Sequence, residues 1–292
     1  MDWRQFTMNL GALEADQVEQ VFARHGALSI TLTDGGDNPV LEPARGETPL
    51  WSDTRITGLF AANADLQSLR ADLLQTFDLP DLPDDCIEDL AERVWEREWL
   101  RDFQPMRFGR RLWISPDNMP VTDSDAIVVQ LDPGLAFGTG THETTALCLE
   151  WLDGLDLAGK RVLDIGCGSG ILAIAALKLG AASADGFDID PQAVTASQDN
   201  ASRNGVTERL RVSTNPADFP GKYDVVLANI LAGTLLELAE DIVERTVHGG
   251  QLALSGILSS QIDQISETYV RWITLDPAIL RDNWALVSGQ RH

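Results

Sequence analysis

From about residue 125 onward, short apolar runs alternate with helical segments, and this alternation constrains the fold more than any other feature. Five runs of apolar or β-branched residues have the length of buried strands, at 162–165, 184–188, 210–213, 225–229 and 252–255. Segments with helical periodicity lie between them, at 171–179, 191–204 and 231–247. Such alternation predicts a doubly wound parallel sheet, in which ligands bind at the carboxyl ends of the strands where the strand order reverses.

A glycine-rich turn follows the first of these runs. Residues 166–170 read Gly-Cys-Gly-Ser-Gly and lead into a helix. Glycines let the backbone turn sharply and approach a ligand without a Cβ in the way. The third glycine comes one residue too early for the dinucleotide fingerprint G-x-G-x-x-G, which disfavours NAD. Asp164, two residues before Gly166, completes a D-x-G-x-G-x-G pattern that resembles the motif of S-adenosylmethionine-dependent methyltransferases.

Two acidic residues follow the next strand. Asp188 lies 22 residues after Gly166, where a carboxylate can accept hydrogen bonds from both hydroxyls of a ribose. Asp190 precedes Pro191, which is the pattern of an N-cap with proline at the first helical position. We therefore assign the ribose to Asp188 and the helix cap to Asp190.

Asn229 ends the run at 225–229, and two interpretations fit its local sequence equally. It could cap the helix that follows. Alternatively, its amide oxygen could accept a hydrogen bond from an incoming amine and aim the amine lone pair at a methyl group. The position matches the N-P-P-Y site of amino-methylating enzymes, but both prolines and the aromatic residue are missing. Adenine and glutamine side chains, which stack on that aromatic residue, are therefore disfavoured as substrates.

The segment 131–145 places three glycines ahead of another helix. Backbone N–H groups at a helix start suit a carboxylate, so the methionyl end of S-adenosylmethionine would fit there, with Thr145 facing it. Phe137 could cover the methyl group, and simple packing explains it equally well. His142 could act as a general base, but a lone histidine more often has a structural role, and we leave it outside the catalytic set.

The first 94 residues follow another pattern. Strands and helices alternate as two β-α-β units, at 3–10, 14–25, 27–33, 54–62, 65–77 and 87–94. Such units predict a ferredoxin-like sandwich with its helices on one face. We divide the chain into this domain (1–94), a helical linker with aromatic residues four positions apart (95–104) and a methyltransferase domain (105–292).

Charge and cysteine content narrow the class of protein. There are 22 Lys and Arg against 45 Asp and Glu, a net charge of -23, and residues 1–104 hold 21 acidic and 8 basic residues. This charge repels a phosphate backbone, so we expect no direct contact with nucleic acid. The dense acids suit either a solvated surface or a basic protein partner.

Three widely spaced cysteines, Cys86, Cys148 and Cys167, form neither a disulfide framework nor a zinc motif, so we predict a reducing compartment and no metal. The longest apolar run has seven residues, at 171–177, against ~20 for a membrane span. The first ten residues do not resemble a signal peptide. We expect a cytoplasmic protein that does not contact the membrane.

Four segments together, 132–145, 164–170, 186–191 and 229–232, resemble the PrmA-type family, bacterial methyltransferases that modify the eleventh protein of the large ribosomal subunit. The resemblance covers nearly the whole chain. It implies a Rossmann-like α/β methyltransferase sheet with a smaller N-terminal ferredoxin-like α+β domain that recognises the substrate.

The resemblance also implies S-adenosyl-L-methionine as cofactor, and lysine side-chain and N-terminal α-amines of a basic ribosomal protein as methyl acceptors. We expect a monomer. Asn229 is the predicted catalytic residue. The predicted cofactor-binding residues are Thr145, Gly166, Gly168, Asp188, Asn229 and Phe137.

Other functions remain open on the sequence alone. A methyltransferase of another protein would have the same motifs. A nucleic-acid N-methyltransferase would share the cofactor site but needs a basic face and a stacking aromatic residue. An NAD-dependent oxidoreductase would share the sheet, and a non-enzymatic protein that senses the cofactor would share the motifs.

Overall fold

The computed structural model describes residues 3–36, 50–90, 104–116, 119–131 and 142–292. The chain divides into two compact units, Met1–Arg97 and Glu98–His292. The predicted linker lies outside the described residues except for residue 104, so the domain limits at 94 and 105 stay predictions. Within the described ranges, no helix is both long and apolar enough to cross a membrane.

The N-terminal unit is a four-stranded antiparallel sheet with two helices. Its elements are β1 Trp3–Asn9, α1 Ala15–Arg24, β2 Ser29–Asp34, β3 Thr54–Ala61, α2 Leu66–Thr76 and β4 Cys86–Leu90. The strand order is β2-β3-β1-β4, which confirms the predicted ferredoxin-like arrangement. Apolar residues recur at helical spacing along α1 and α2 and face the sheet, where the rings of Phe6 and Phe22 meet edge to face at 5.7 Å.

The second unit begins with a small sheet and continues as a long alternation of strands and helices. The first elements are β5 Met106–Phe108, β6 Leu112–Ser115, β7 Ile127–Gln130 and α3 Glu143–Asp153. The central elements are β8 Arg161–Ile165, α4 Ile171–Lys178, β9 Ser183–Phe187, α5 Pro191–Arg203, β10 Leu210–Ser213 and β11 Tyr223–Asn229. The last elements are α6 Ala232–Glu237, α7 Ala239–Arg245, β12 Thr246–Leu258, α8 Ile262–Tyr269, β13 Ile273–Leu275, β14 Ile279–Arg281 and β15 Trp284–Arg291.

The large sheet has the strand order β10-β9-β8-β11-β12-β15-β13, and β14 pairs with β15. The five strands from β10 to β12 are parallel, and helices cover both faces: α3, α4 and α5 on one, α6, α7 and α8 on the other. The strand order reverses between β8 and β11. A ligand site is therefore expected at the carboxyl ends of these two strands.

The structure differs from the sequence prediction in two places. The sheet is mixed, because β13, β14 and β15 add antiparallel strands beyond β12. The single helix predicted at 231–247 is wrong: α6 and α7 are separate helices, and residue 246 already begins β12. Leu238 ends α6 and precedes α7 with φ -98° and ψ 9°, although the buried residues Leu235, Ile242 and Val243 keep the spacing of one helix face.

Candidate active site

A cavity of about 520 Å³ lies at the predicted edge of the large sheet. Its volume is in the usual range for a small-molecule site. Most of its wall is apolar, and the residues that form it lie in or directly beside β8, β9, β11, β12, β15, α6 and the start of α3. They are His142, Thr144, Ile165, Gly166, Phe187, Asp188, Ile189, Asn229, Ile230, Leu231, Thr234, Leu238, Gly256 and Trp284.

The glycine turn forms one side of this cavity. Gly166, Gly168 and Gly170 all have positive φ, at +73°, +52° and +76°, so L-residues would be strained at each of them. At Gly166 a Cβ would lie 2.3 Å from Cγ2 of Ile230, at the end of the neighbouring strand. Glycine is therefore required here both by the backbone conformation and by the close approach of two strand ends.

The carboxylate of Asp188 holds the glycine turn. Its Oδ2 accepts a hydrogen bond of 2.9 Å from the backbone N–H of Gly168, and its Oδ1 accepts one of 3.0 Å from that of Asp190. The Asp190 side chain accepts from the backbone N–H of Gln192 and caps α5, which confirms the cap prediction. A carboxylate has about four lone-pair positions, so Asp188 can still accept from a ligand in the cavity.

Asn229 ends β11 and reaches the cavity beside Thr145. Its Nδ2 donates a hydrogen bond of 3.4 Å to Oγ1 of Thr145, which is buried in the first turn of α3. The N-cap position of α6 is Leu231, so the interpretation of Asn229 as a helix cap is wrong. The amide nitrogen of Asn229 is used by Thr145. The amide oxygen is therefore the atom of Asn229 that can accept a hydrogen bond from an amine.

Asp164 lies beneath the turn and is fully buried. Its Oδ2 accepts a hydrogen bond of 3.2 Å from the backbone N–H of Ala173, and within the described part of the chain its Oδ1 has no partner. Burial raises the pKa of Asp164 to about 7, the Ala173 hydrogen bond opposes this shift, and the nearby charge of Asp188 adds to it.

His142 has the structural role expected of it. Its Nδ1 accepts from the backbone N–H of Thr144 and so caps α3, and burial lowers the pKa of the imidazole. The ring packs against Trp284 with the centroids 4.9 Å apart. The neutral, hydrogen-bonded imidazole thus forms part of the cavity wall.

The structure brings most of the predicted site residues together. Gly166, Asp188 and Asn229 line one cavity, Gly168 contacts Asp188 through its backbone, and Thr145 lies directly behind Asn229. Phe137 lies outside the described residues, so its role stays a prediction. No group of three His, Cys, Asp or Glu side chains suited to a metal occurs among the residues described.

Sequence reasoning missed Trp284 and Ile189. Ile189 is 83% exposed and directly follows Asp188, so an apolar residue at a strand end was the signal that could have identified it. Trp284 had no such signal, because it comes from β15, an antiparallel strand far along the chain. It adds an aromatic ring to the cavity wall beside that of Phe187.

Comparison with known proteins fits this geometry. The family model "Ribosomal protein L11 methyltransferase (PrmA)" matches residues 2–292. The chain belongs to this family. Relatives with the name ribosomal protein L11 methyltransferase are 53% identical over the full length of both chains, in Klebsiella pneumoniae (strain 342) and Serratia proteamaculans (strain 568).

A crystal structure of ribosomal protein L11 methylase from Lactobacillus delbrueckii subsp. bulgaricus matches with a TM-score of 0.60 and 33% identity. The match covers 65% of this chain and 100% of the other. Family membership confirms the resemblance that the motifs indicated, together with the Rossmann-like methyltransferase fold class. It gives no support to the NAD-dependent alternative.

Proposed function

We propose that this protein transfers methyl groups from S-adenosyl-L-methionine to lysine side-chain and N-terminal α-amines of ribosomal protein L11. The names of the family and of its full-length relatives support the methyl transfer and the L11 substrate. The observation that supports the chemistry is the Asn229–Thr145 hydrogen bond, because it holds Asn229 in the same cavity as Asp188 and Gly166.

The residues of the cavity fit S-adenosylmethionine. Gly166 has no side chain where a ligand would pass the strand end, and Asp188 offers acceptors for ribose hydroxyls. The exposed side chain of Ile189 offers an apolar surface for a base. Beneath the turn, the buried Oδ1 of Asp164 has no hydrogen-bond partner among the described residues, so it is a further acceptor close to the cavity-lining Gly166 in the chain.

When bound, the cofactor supplies a methyl group on a positively charged sulfur. Transfer would exchange the S–C bond of the cofactor for an N–C bond to the amine, with Asp188 and the glycine turn holding the cofactor and Asn229 holding the amine. Asn229 accepts a hydrogen bond from the amine through its amide oxygen and so directs the nitrogen lone pair. The enzyme contributes orientation and exclusion of water, which do not require a covalent intermediate.

Only a neutral amine has a lone pair to donate. A lysine amine has a reference pKa near ~10.4 and an α-amine one near ~7.7–8.0, so both must give up a proton to water before the transfer. The largely apolar wall formed by residues such as Ile165, Leu231 and Trp284 disfavours the ammonium form, as does the positive sulfur. His142 is committed to capping α3 through Nδ1, and the proposal does not use it as a base.

Trp284 revises one argument against a nucleic-acid substrate. The indole ring gives the cavity an aromatic surface, so the lack of a stacking residue is no longer an argument against a nucleic-acid substrate. The net charge of -23 remains and opposes the approach of a phosphate backbone. Charge is thus the feature that distinguishes a protein substrate from an RNA substrate, because an RNA substrate needs a basic face.

The test is to incubate the purified protein with labelled S-adenosylmethionine and either L11 or ribosomal RNA. We expect intact L11 to gain mass in steps of about 14 Da, with the modified amines located by peptide fragmentation. No gain on L11 with label on RNA would reverse the substrate assignment. No label on either would leave a cofactor-binding protein without this activity.

A further inference from the structure

A β-bulge lies beside the cavity on β12. Pairing with β15 shifts register between Leu254 and Ile257, so that Ser255 and Gly256 together stand opposite Leu286. Gly256 has φ +79° and lines the cavity. Bulges next to active sites often redirect a side chain, and here the side chain is that of Ser255, which is fully buried.

The Ser255 hydroxyl joins three elements. It lies 3.1 Å from the carbonyl oxygen of Ala285 on β15 and 3.4 Å from that of Thr144 in α3, and both oxygens can accept from it. One buried hydroxyl therefore ties the first turn of α3 to the sheet.

The main chain of the same serine holds the end of β11. Ser255 is the register partner of Asn229, and its carbonyl accepts a hydrogen bond of 3.2 Å from the backbone N–H of Ile230. The backbone of Ser255 thus fixes Asn229, while its side chain fixes the turn that carries Thr145. The Asn229–Thr145 hydrogen bond joins these two parts.

We infer that Ser255 is a positioning residue, whose hydroxyl sets the separation between Thr145 and Asn229 and thereby the aim of the Asn229 amide. This inference rests on the proposed function of Asn229. At 3.4 Å the Asn229–Thr145 hydrogen bond is already long, so a small outward shift of α3 breaks it. A misplacement of about 1 Å can cost about a hundredfold in rate.

The experiment compares Ser255→Thr with Ser255→Val in the full-length protein. The two variants have nearly the same shape, but only the first keeps a hydroxyl. We expect kcat of Ser255→Val to be about tenfold below that of Ser255→Thr, with the dissociation constant for S-adenosylmethionine unchanged. Ser255→Ala tests the same loss without overfilling the site.

Ser288→Ala is the matched control, because Ser288 is a buried serine of the same sheet whose hydroxyl contacts Asp276 rather than α3. We expect it to match Ser255→Ala in melting temperature and to retain native kcat. As a readout independent of activity, the amides of residues 146–149 should exchange faster in Ser255→Val than in Ser255→Thr, without any ligand.

A double-mutant cycle separates the inference from the function on which it rests. In an Asn229→Ala background, the difference between Ser255→Thr and Ser255→Val should vanish, because Ser255 acts through Asn229. Equal kcat for the two single variants, with Asn229→Ala still strongly impaired, would overturn the inference alone. Full turnover by Asn229→Ala would instead overturn the role proposed for Asn229.

Discussion

At the scale of single residues, substitution of Asn229 should affect catalysis without affecting cofactor binding. Its nitrogen contacts Thr145, while Asp188 and the glycine turn form the part of the cavity assigned to the cofactor. Replacing Asn229 by Ala should lower kcat by about a hundredfold, by analogy with the loss of one positioned polar group in other enzymes.

Isothermal titration should show the affinity of Asn229→Ala for S-adenosylmethionine nearly unchanged. Asn204→Ala serves as a control, because its amide bridges to Gln130 and is not part of the cavity wall. If turnover and cofactor affinity fell together in Asn229→Ala, Asn229 would be a binding residue rather than a catalytic one.

Asp164 should make stability depend on pH. The unfolded chain loses this proton near pH ~3.9, whereas burial raises the folded-state pKa to about 7. The carboxyl therefore contributes most to stability below the unfolded-state pKa, and this contribution falls as pH rises toward 7.

Asp164→Asn keeps an oxygen for the Ala173 N–H but removes the ionisation. Its free energy of unfolding relative to the native protein should rise by roughly 2–3 kcal/mol between pH 5 and pH 8. Urea unfolding at both pH values measures this difference. Asp156→Asn, at an exposed carboxyl, should show no such change, and a flat difference for Asp164→Asn would contradict a raised pKa.

At the scale of elements, the junction of β9 and α5 divides two tasks between two nearby carboxylates. Asp188 holds the glycine turn, and Asp190 caps α5. Asp190→Ala should therefore cost about 1 kcal/mol of stability, as the loss of an N-cap usually does, with cofactor affinity unchanged.

Asp188→Ala should instead weaken S-adenosylmethionine binding by at least about tenfold, since it removes the proposed ribose acceptor and releases the backbone of Gly168. Thermal unfolding and isothermal titration on both variants give the comparison. Each variant controls for the other, and loss of affinity in Asp190→Ala alone would reverse the two assignments.

The sequence predicted the elements well where the signal is local. The periodicity of α1 and α2, the glycine turn and the Asp190-Pro191 cap each depend on residues only a few positions apart, and all appear as expected. The break between α6 and α7 was not predictable from periodicity, because apolar residues continue through Leu238.

At the scale of the whole molecule, the acidic surplus should assist capture of a basic substrate. Asp78 and Glu88 are exposed acids of the N-terminal unit. Asp81 and Asp85 are less suitable for substitution, since both pair with Arg70. Asp78 has φ +51°, a conformation that Asn tolerates, so Asp78→Asn preserves the backbone.

The double variant Asp78→Asn, Glu88→Gln should bind L11 more weakly at low salt, with cofactor affinity unchanged. The difference should shrink as salt shortens the screening length to ~10 Å at 0.1 M. Glu208→Gln with Glu267→Gln removes the same charge from exposed positions of the second unit. Equal affinity of both double variants for L11 would mean that the N-terminal acids contribute to solubility and not to substrate binding.

The sequence by itself determined the two fold types, the cavity edge and the motif residues Gly166, Asp188 and Asn229, because strand periodicity, turn chemistry and strand-end position act over short stretches of chain. Only the tertiary structure decided that Trp284 faces this cavity and that Ser255 ties α3 to the sheet. Both depend on an antiparallel strand and on a bulge in its pairing, which bring distant residues together through register rather than through any local pattern.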